Sequence, residues 1–348
     1  MCACRAEPFS AAHIFQPQIS TSENDTSAMT AHVLENHLLQ VTVLPESGGK
    51  ISSLRSIRTG EEFLLPHLQP ATELVGPERK TITFDQGDLG GFDECLPSVA
   101  PCGSIEGEPP VPDHGDLWRH PWAIESSSSQ SITLATQASS RPLRITRAAT
   151  LEGDTLVLDY EIENVSGVPA TWLWSAHPLL KVEAGDRIYL PRDIAGVKVE
   201  YTSTEDFAQS SHIGWPVAQS TSGSSIDLSV VPHCDGTTAH KLFARMEGAG
   251  ITALHRARLQ QGIALHFDSS KLPYLGIWIS AGAWPQSGPN RQYTVALEPT
   301  TSQCDSLADA VNDGSACRLA GGDRRHWRVA FELLGASAPY LFSGSNSS

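Results

Sequence analysis

Three short segments carry the residue types that acid–base chemistry needs. In Asp113-His114-Gly115-Asp116-Leu117-Trp118 a histidine lies between two acids, with an indole close by. Trp172-Leu-Trp174-Ser-Ala-His177-Pro178 puts a histidine at what reads as a strand end, and Tyr293-Thr-Val-Ala-Leu297-Glu298-Pro299 puts a carboxylate there in the same way. Alternation turns His177 away from Trp172 and Trp174, and Glu298 away from Tyr293, Val295 and Leu297. A proline follows each; it lacks the N–H a ladder needs, so each strand is expected to stop there. Imidazole titrates near neutrality and burial lifts a carboxyl toward it, so the two converging on one rim make an acid–base pair. His120 and His266 lack such a context and read as structural. A His/His/Glu set is chemically suited to zinc, but the H-x-H and H-E-x-x-H patterns are absent, and neither metal nor cofactor is expected.

The elements that must position these groups are strands. Leu156, Leu158, Tyr160 and Ile162 alternate with Val157, Asp159, Glu161 and Glu163, and Glu152-Gly153-Asp154 turns the chain back from a partner over 144–151. Further strands are expected at 39–44, 50–57, 131–136, 170–176, 262–267, 274–280, 292–297 and 327–333. One helix is expected around Ser306–Val311, closed by Asn312-Asp313-Gly314. Many strands and almost no helix predict an all-β protein, an antiparallel sandwich or barrel. With no repeat and no shift in composition, residues 31–334 are expected to form one domain. Residues 1–30, rich in Ser, Thr and Ala and without the apolar stretch of a signal peptide, read as a disordered leader. Residues 335–348 read as a flexible tail.

Composition narrows the partners. Among 348 residues, 24 Lys and Arg face 39 Asp and Glu, a net charge of −15. Such a field repels phosphate backbones and anionic headgroups, so no nucleic acid and no membrane surface is expected, and a neutral small molecule is the easiest ligand to accommodate. No apolar run reaches the length of a membrane span. Seven scattered cysteines, an odd number without paired C-x-x-C spacing, read as reduced thiols in a cytoplasm. Cys2 and Cys4 read as incidental. A monomer or homodimer is expected.

Taken together in chain order, several segments resemble the aldose 1-epimerase (galactose mutarotase-like) superfamily, in particular its divergent bacterial members. They are Gly49-Lys-Ile-Ser-Ser-Leu54, Gly90-Gly-Phe-Asp93-Glu94-Cys-Leu-Pro97, Pro112-Asp-His114-Gly-Asp-Leu-Trp118, Trp174-Ser-Ala-His177-Pro-Leu-Leu180, Tyr274-Leu-Gly-Ile-Trp278 and Leu297-Glu298-Pro-Thr-Thr301. The resemblance spans roughly residues 35–333 and implies a large twisted β-sandwich that holds a sugar on its concave face. It implies a catalytic trio: Glu298 as the base at the anomeric hydroxyl, His177 as the proton donor to the ring oxygen, and His114 as a second histidine holding the ring oxygen and nearby hydroxyls. Asp93 and Glu94 then offer acceptors for sugar hydroxyls, and Trp118 and Trp278 flat apolar surfaces. Arg79 stands in for the arginine that the family places upstream of its first histidine. His233-Cys234-Asp235-Gly236 and Arg245 stand where the family carries a further loop. The expected activity is interconversion of sugar anomers by ring opening and closure, with Glu298 and His177 on opposite sides of the sugar. The alternative is a carbohydrate-binding sandwich without turnover.

Overall fold

The computed structural model describes residues 30–67, 83–87, 89–288 and 290–335. Arg79, nearly all of the expected leader and the tail beyond residue 335 lie outside the described residues. Among those described, ten antiparallel strands form one sheet. In spatial order they are His32–Glu35, Leu39–Leu44, Lys50–Ser56, Phe92–Cys95, Ser175–Lys181, Tyr293–Thr300, Tyr274–Ala281, Ala239–Arg245, Gly196–Thr202 and His212–Gly214. A second antiparallel sheet has eight: Arg187–Tyr189, Gly250–Arg256, Gln261–Phe267, Arg324–Leu334, Thr155–Asn164, Leu143–Glu152, Ser131–Gln137 and Ala123–Ser127. The architecture is therefore all-β with large antiparallel sheets.

Period two explains why the sheets stack. Along Leu143–Glu152 the residues Leu143, Ile145, Arg147, Ala149 and Leu151 are buried and their neighbours are not. The partner strand turns Leu156, Leu158, Tyr160 and Ile162 the same way. From the larger sheet Val41, Ile51, Phe92, Ala176, Val295, Leu297, Ile277 and Leu242 meet them in a single inter-sheet core. Trp327 is its aromatic centre, stacked on Tyr160 at 5.4 Å and on Trp172 at 6.0 Å between centroids. One helix, Leu307–Asp313, lies where it was expected, preceded by Ser306 and closed by left-handed Gly314.

Two expectations are corrected. The strand foreseen over 170–176 is broken at Leu173–Trp174: Ala170–Trp172 pairs with Cys317–Leu319, and Ser175–Lys181 belongs to the ten-stranded sheet. Nor do the prolines end their strands. Pro178 lies opposite Phe92 and Pro299 opposite Leu275, each inside a continuous strand. A residue in an antiparallel strand bonds to one neighbour only, so a missing N–H costs the ladder on one side. Here both losses fall on the same seam. The two proline strands pair at Ser175↔Thr300 and again from Leu179↔Ala296, in unchanged register. Between those points His177 directly faces Glu298.

Candidate active site

That seam forms part of a cavity of about 280 Å³ on the face of the larger sheet turned away from the inter-sheet core. Its wall includes His114, His177, Lys241, Trp278, Trp284, Glu298 and Asp305. His177 Nε2 and Glu298 Oε1 are 3.9 Å apart, beyond hydrogen-bonding distance. Both side chains are buried, yet His177 Nδ1 and Glu298 Oε1 have no hydrogen-bond partner. Buried polar atoms are nearly always paired, so these two are exceptions at the cavity wall.

Glu298 Oε2 is taken. Lys241 Nζ donates to it, and Ser175 Oγ donates at 3.4 Å. Asp305 Oδ1 lies 3.4 Å from the same ammonium. Burial pushes the Glu298 carboxyl above its ordinary range; Lys241 pulls it down and Asp305 adds to the rise. Burial alone would lower the Lys241 ammonium, but Asp305 and Glu298 outweigh it and keep it protonated. The His177 imidazole is held well below its ordinary value by burial first, then by His114, Lys241 and Lys50. A carboxyl moved up and an imidazole moved down toward each other resemble the matched pairs of acid–base sites.

His114 reaches the cavity from a strained loop. Its φ is +55°, and the following Gly115 has φ +70° with space for no side chain, since a Cβ would lie 2.2 Å from the Leu96 carbonyl oxygen. The ring stacks on Phe84 at 3.7 Å between centroids and meets His177 edge-on at 5.1 Å. Asp113 Oδ1 lies 3.0 Å from His114 Nδ1 and fixes the ring's orientation. Burial would raise the Asp113 carboxyl, but this bond and the charge of His114 bring it below its usual range.

Of the residues chosen from the sequence, Glu298, His177, His114 and Trp278 are brought together at the cavity. Asp93 faces His177 across the neighbouring pair of strands but lies outside the cavity wall, where Lys50 Nζ holds it at 2.6 Å. Glu94 corrects the expectation most sharply. One residue along the same strand it points to the other face, where it accepts from Arg147 and, at 3.0 Å, from the Tyr160 hydroxyl. Strand parity alone removes it from any sugar on the outer face. Trp118 is buried behind Phe84, edge-on at 5.2 Å, and supports the site without lining it. Glu298 and His177 are neighbours across one seam rather than opposed walls. Arg245 is exposed and pairs with Glu247, and His266 is bonded to Glu332 on the second sheet.

Lys241, Asp305, Phe84 and Trp284 were missed. Lys241 had a signal, a lysine amid the apolar alternation of Ala239-His-Lys-Leu-Phe-Ala244. Phe84 had none, because only the folded loop brings it between two histidines and two tryptophans. Among the described residues, no group of three or more His, Cys, Asp or Glu side chains is placed to hold a metal ion. No helix among them is long and apolar enough to cross a membrane.

Comparison with known proteins places the fold. Residues 225–333, which include Lys241, Trp278 and Glu298, match a family described as a domain of unknown function, DUF4432. No curated protein matches the chain in sequence. Among solved structures, a putative aldose 1-epimerase from Escherichia coli K12 is 16% identical with a TM-score of 0.62, covering 88% of this chain and 100% of that one. A galactose mutarotase related enzyme from Lactobacillus acidophilus is 15% identical with a TM-score of 0.63, covering 88% and 98%. A galactose mutarotase-like protein from Clostridium acetobutylicum is 12% identical with a TM-score of 0.64, covering 90% and 97%. The chain has the galactose mutarotase-like fold.

Proposed function

We propose that this protein is an aldose 1-epimerase-like enzyme that interconverts the anomers of a sugar, with Glu298 and His177 as the acid–base pair. The observation that carries the reading is their placement: two buried titratable groups, each with one unpaired polar atom, facing each other across a seam at the wall of a cavity lined by indoles. Opening a hemiacetal requires a proton to leave the anomeric hydroxyl and another to reach the ring oxygen. As the O1 proton passes to Glu298, C1 and O1 form the carbonyl. The C1–O5 bond breaks with its electron pair going to O5, which takes a proton from His177. Rotation about C1–C2 and closure with the roles reversed yield the other anomer. O1 and O5 hang on the same carbon, so an acid and a base that are neighbours reach both.

Where the pair holds one proton between them, the reactive arrangement is ionised Glu298 with that proton on His177, an arrangement that burial disfavours at both groups and Lys241 disfavours at His177. Activity should therefore follow a bell with two apparent values that belong to the pair. His114, set by Asp113 and Phe84, is placed to bind the ring oxygen or a neighbouring hydroxyl, and Trp278 and Trp284 offer apolar surface to the sugar's C–H face. Asp93 contributes indirectly at most, through its place beside His177.

The ion pair with Lys241 favours a second reading, in which Glu298 is only a structural anion and the cavity binds sugar without turning it over. Polarimetry or NMR on a panel of pure anomers separates the two. Wild-type protein should accelerate interconversion of at least one sugar. Glu298→Gln, which cannot take the proton, should slow it by roughly 10²–10⁴-fold while sugar binding survives. Wild-type protein that binds a sugar yet leaves its anomers drifting at the buffer rate would establish the binding module instead.

A further inference from the structure

We infer that Lys241 is a positioning residue for Glu298: tethered by Asp305, its ammonium grips one carboxylate oxygen and leaves the other, Oε1, free of hydrogen bonds and facing His177 across the seam. The inference rests on the acid–base role proposed for Glu298. Lys241 and Glu298 are not on adjacent strands. Lys241 pairs with Trp278 and Glu298 with Gly276, so the strand Tyr274–Ala281 lies between them. The lysine stem must cross that strand to reach the carboxylate, and it does so over Gly276. A Cβ at Gly276 would lie 3.0 Å from Glu298 Oε2, 3.2 Å from Glu298 Cβ and 3.4 Å from Lys241 Cε. Glycine's missing side chain is therefore the passage through which the pair forms, and no positive φ is involved.

The arrangement is built rather than incidental. Lys241 and Glu298 side chains are 6% and 0% exposed, and Asp305, on the loop beyond the Glu298 strand, is 21% exposed. A buried ion pair of this kind adds little net stability, but it fixes geometry. The groups facing the Glu298 carboxyl are the Lys241 ammonium, the Ser175 hydroxyl, His177 across the seam, His114 from its loop, Asp305, and the Cys95 thiol. Of these, Lys241 alone carries a fixed positive charge in contact with the carboxylate. Removing that charge leaves burial and Asp305 acting together, so Glu298 would take up a proton at higher pH and cease to serve as a base at neutrality. The ammonium is itself held protonated between two carboxylates, which excludes it as a nucleophile toward an open-chain aldehyde.

The test follows the Glu298 carboxyl directly by ¹³C NMR of glutamate-labelled protein, its resonance identified by loss in Glu298→Gln. In Lys241→Met it should titrate about one unit or more higher than in wild type, and in Asp305→Asn it should move the opposite way. Lys241→Arg should bring it most of the way back. The acid limb of kcat/KM for anomer interconversion should move with the resonance. Unchanged titration of Glu298 in Lys241→Met would overturn the inference. Should Lys241→Met not fold, Gly276→Ala decides: its Cβ obstructs the passage of the lysine to the carboxylate, so the Glu298 resonance should titrate higher, and an unchanged titration there would overturn the inference. If the resonance moves as expected while wild-type protein converts no sugar, the role of Lys241 stands and the epimerase reading falls. If wild-type protein is active and neither resonance nor limb moves, the epimerase reading stands and the role of Lys241 falls.

Discussion

His177 shows how burial sets the behaviour of a single residue. Its imidazole is held well below 6.5, the ordinary value, by burial and by His114, Lys241 and Lys50. In the folded protein it stays neutral at a pH where the unfolded chain would already have bound a proton. Below pH 6.5 the unfolded state therefore binds more protons than the folded one, and stability falls as pH falls toward the depressed value. His177→Gln cannot take up that proton. Thermal melts of both proteins across pH 7.5 to about 5 should show a shallower acid-side decline for the variant. Equal slopes would mean that the imidazole is not held neutral by its surroundings.

At the scale of elements, two devices place the groups of the proposed acid–base site. One is the seam between Ser175–Lys181 and Tyr293–Thr300, where a pair of prolines opens the ladder without shifting its register. The other is the His114 loop, whose approach to Leu96 demands glycine at position 115. The backbone there is left-handed and the Leu96 carbonyl occupies the space of a side chain, so alanine must move the loop. Gly115→Ala should cost about 1–3 kcal/mol in denaturant unfolding. It should also lower anomer conversion at least tenfold, because His114 stacks on Phe84 only from this loop. A variant as stable and active as wild type would show that the loop tolerates a side chain here.

Across the whole molecule, a fully buried charged contact joins the two sheets in their core. Arg147, on the eight-stranded sheet, bonds Glu94 on the ten-stranded sheet and the Gly49 carbonyl oxygen, and lies over the Trp122 ring at 5.2 Å. Both charged side chains are fully buried. Burial raises the Glu94 carboxyl in spite of Arg147, and Glu94 raises the guanidinium in spite of burial. Breaking such a pair strands a buried charge, so Arg147→Met should destabilise by about 3–5 kcal/mol in denaturant unfolding. The double variant Arg147→Met, Glu94→Leu should recover most of that loss. A double variant no better than the single one would assign the cost to lost packing instead of a stranded carboxylate.

The amino-acid sequence determined the strands whose period-two alternation is written locally, but not every strand buried on both faces: Ala239–Arg245 and Gly250–Arg256 were not foreseen. Leu39–Leu44 and the hairpin over 143–164 lie where the alternation put them. The same parity turned His177 and Glu298 each away from the apolar positions read beside it, and the order of short segments pointed to the mutarotase-like architecture. Three matters needed the folded chain. Which face of each strand meets the other sheet sends Glu94 into the core and Asp93 to the opposite side, a choice no single strand's pattern states. Whether a proline ends a strand depends on which neighbour would have taken its N–H, and that neighbour is known only from the strand order. Lys241 reaches Glu298 across an intervening strand at a glycine, joining residues 57 positions apart. Such a contact depends on register among three strands, and register is a property of the sheet, not of any segment within it.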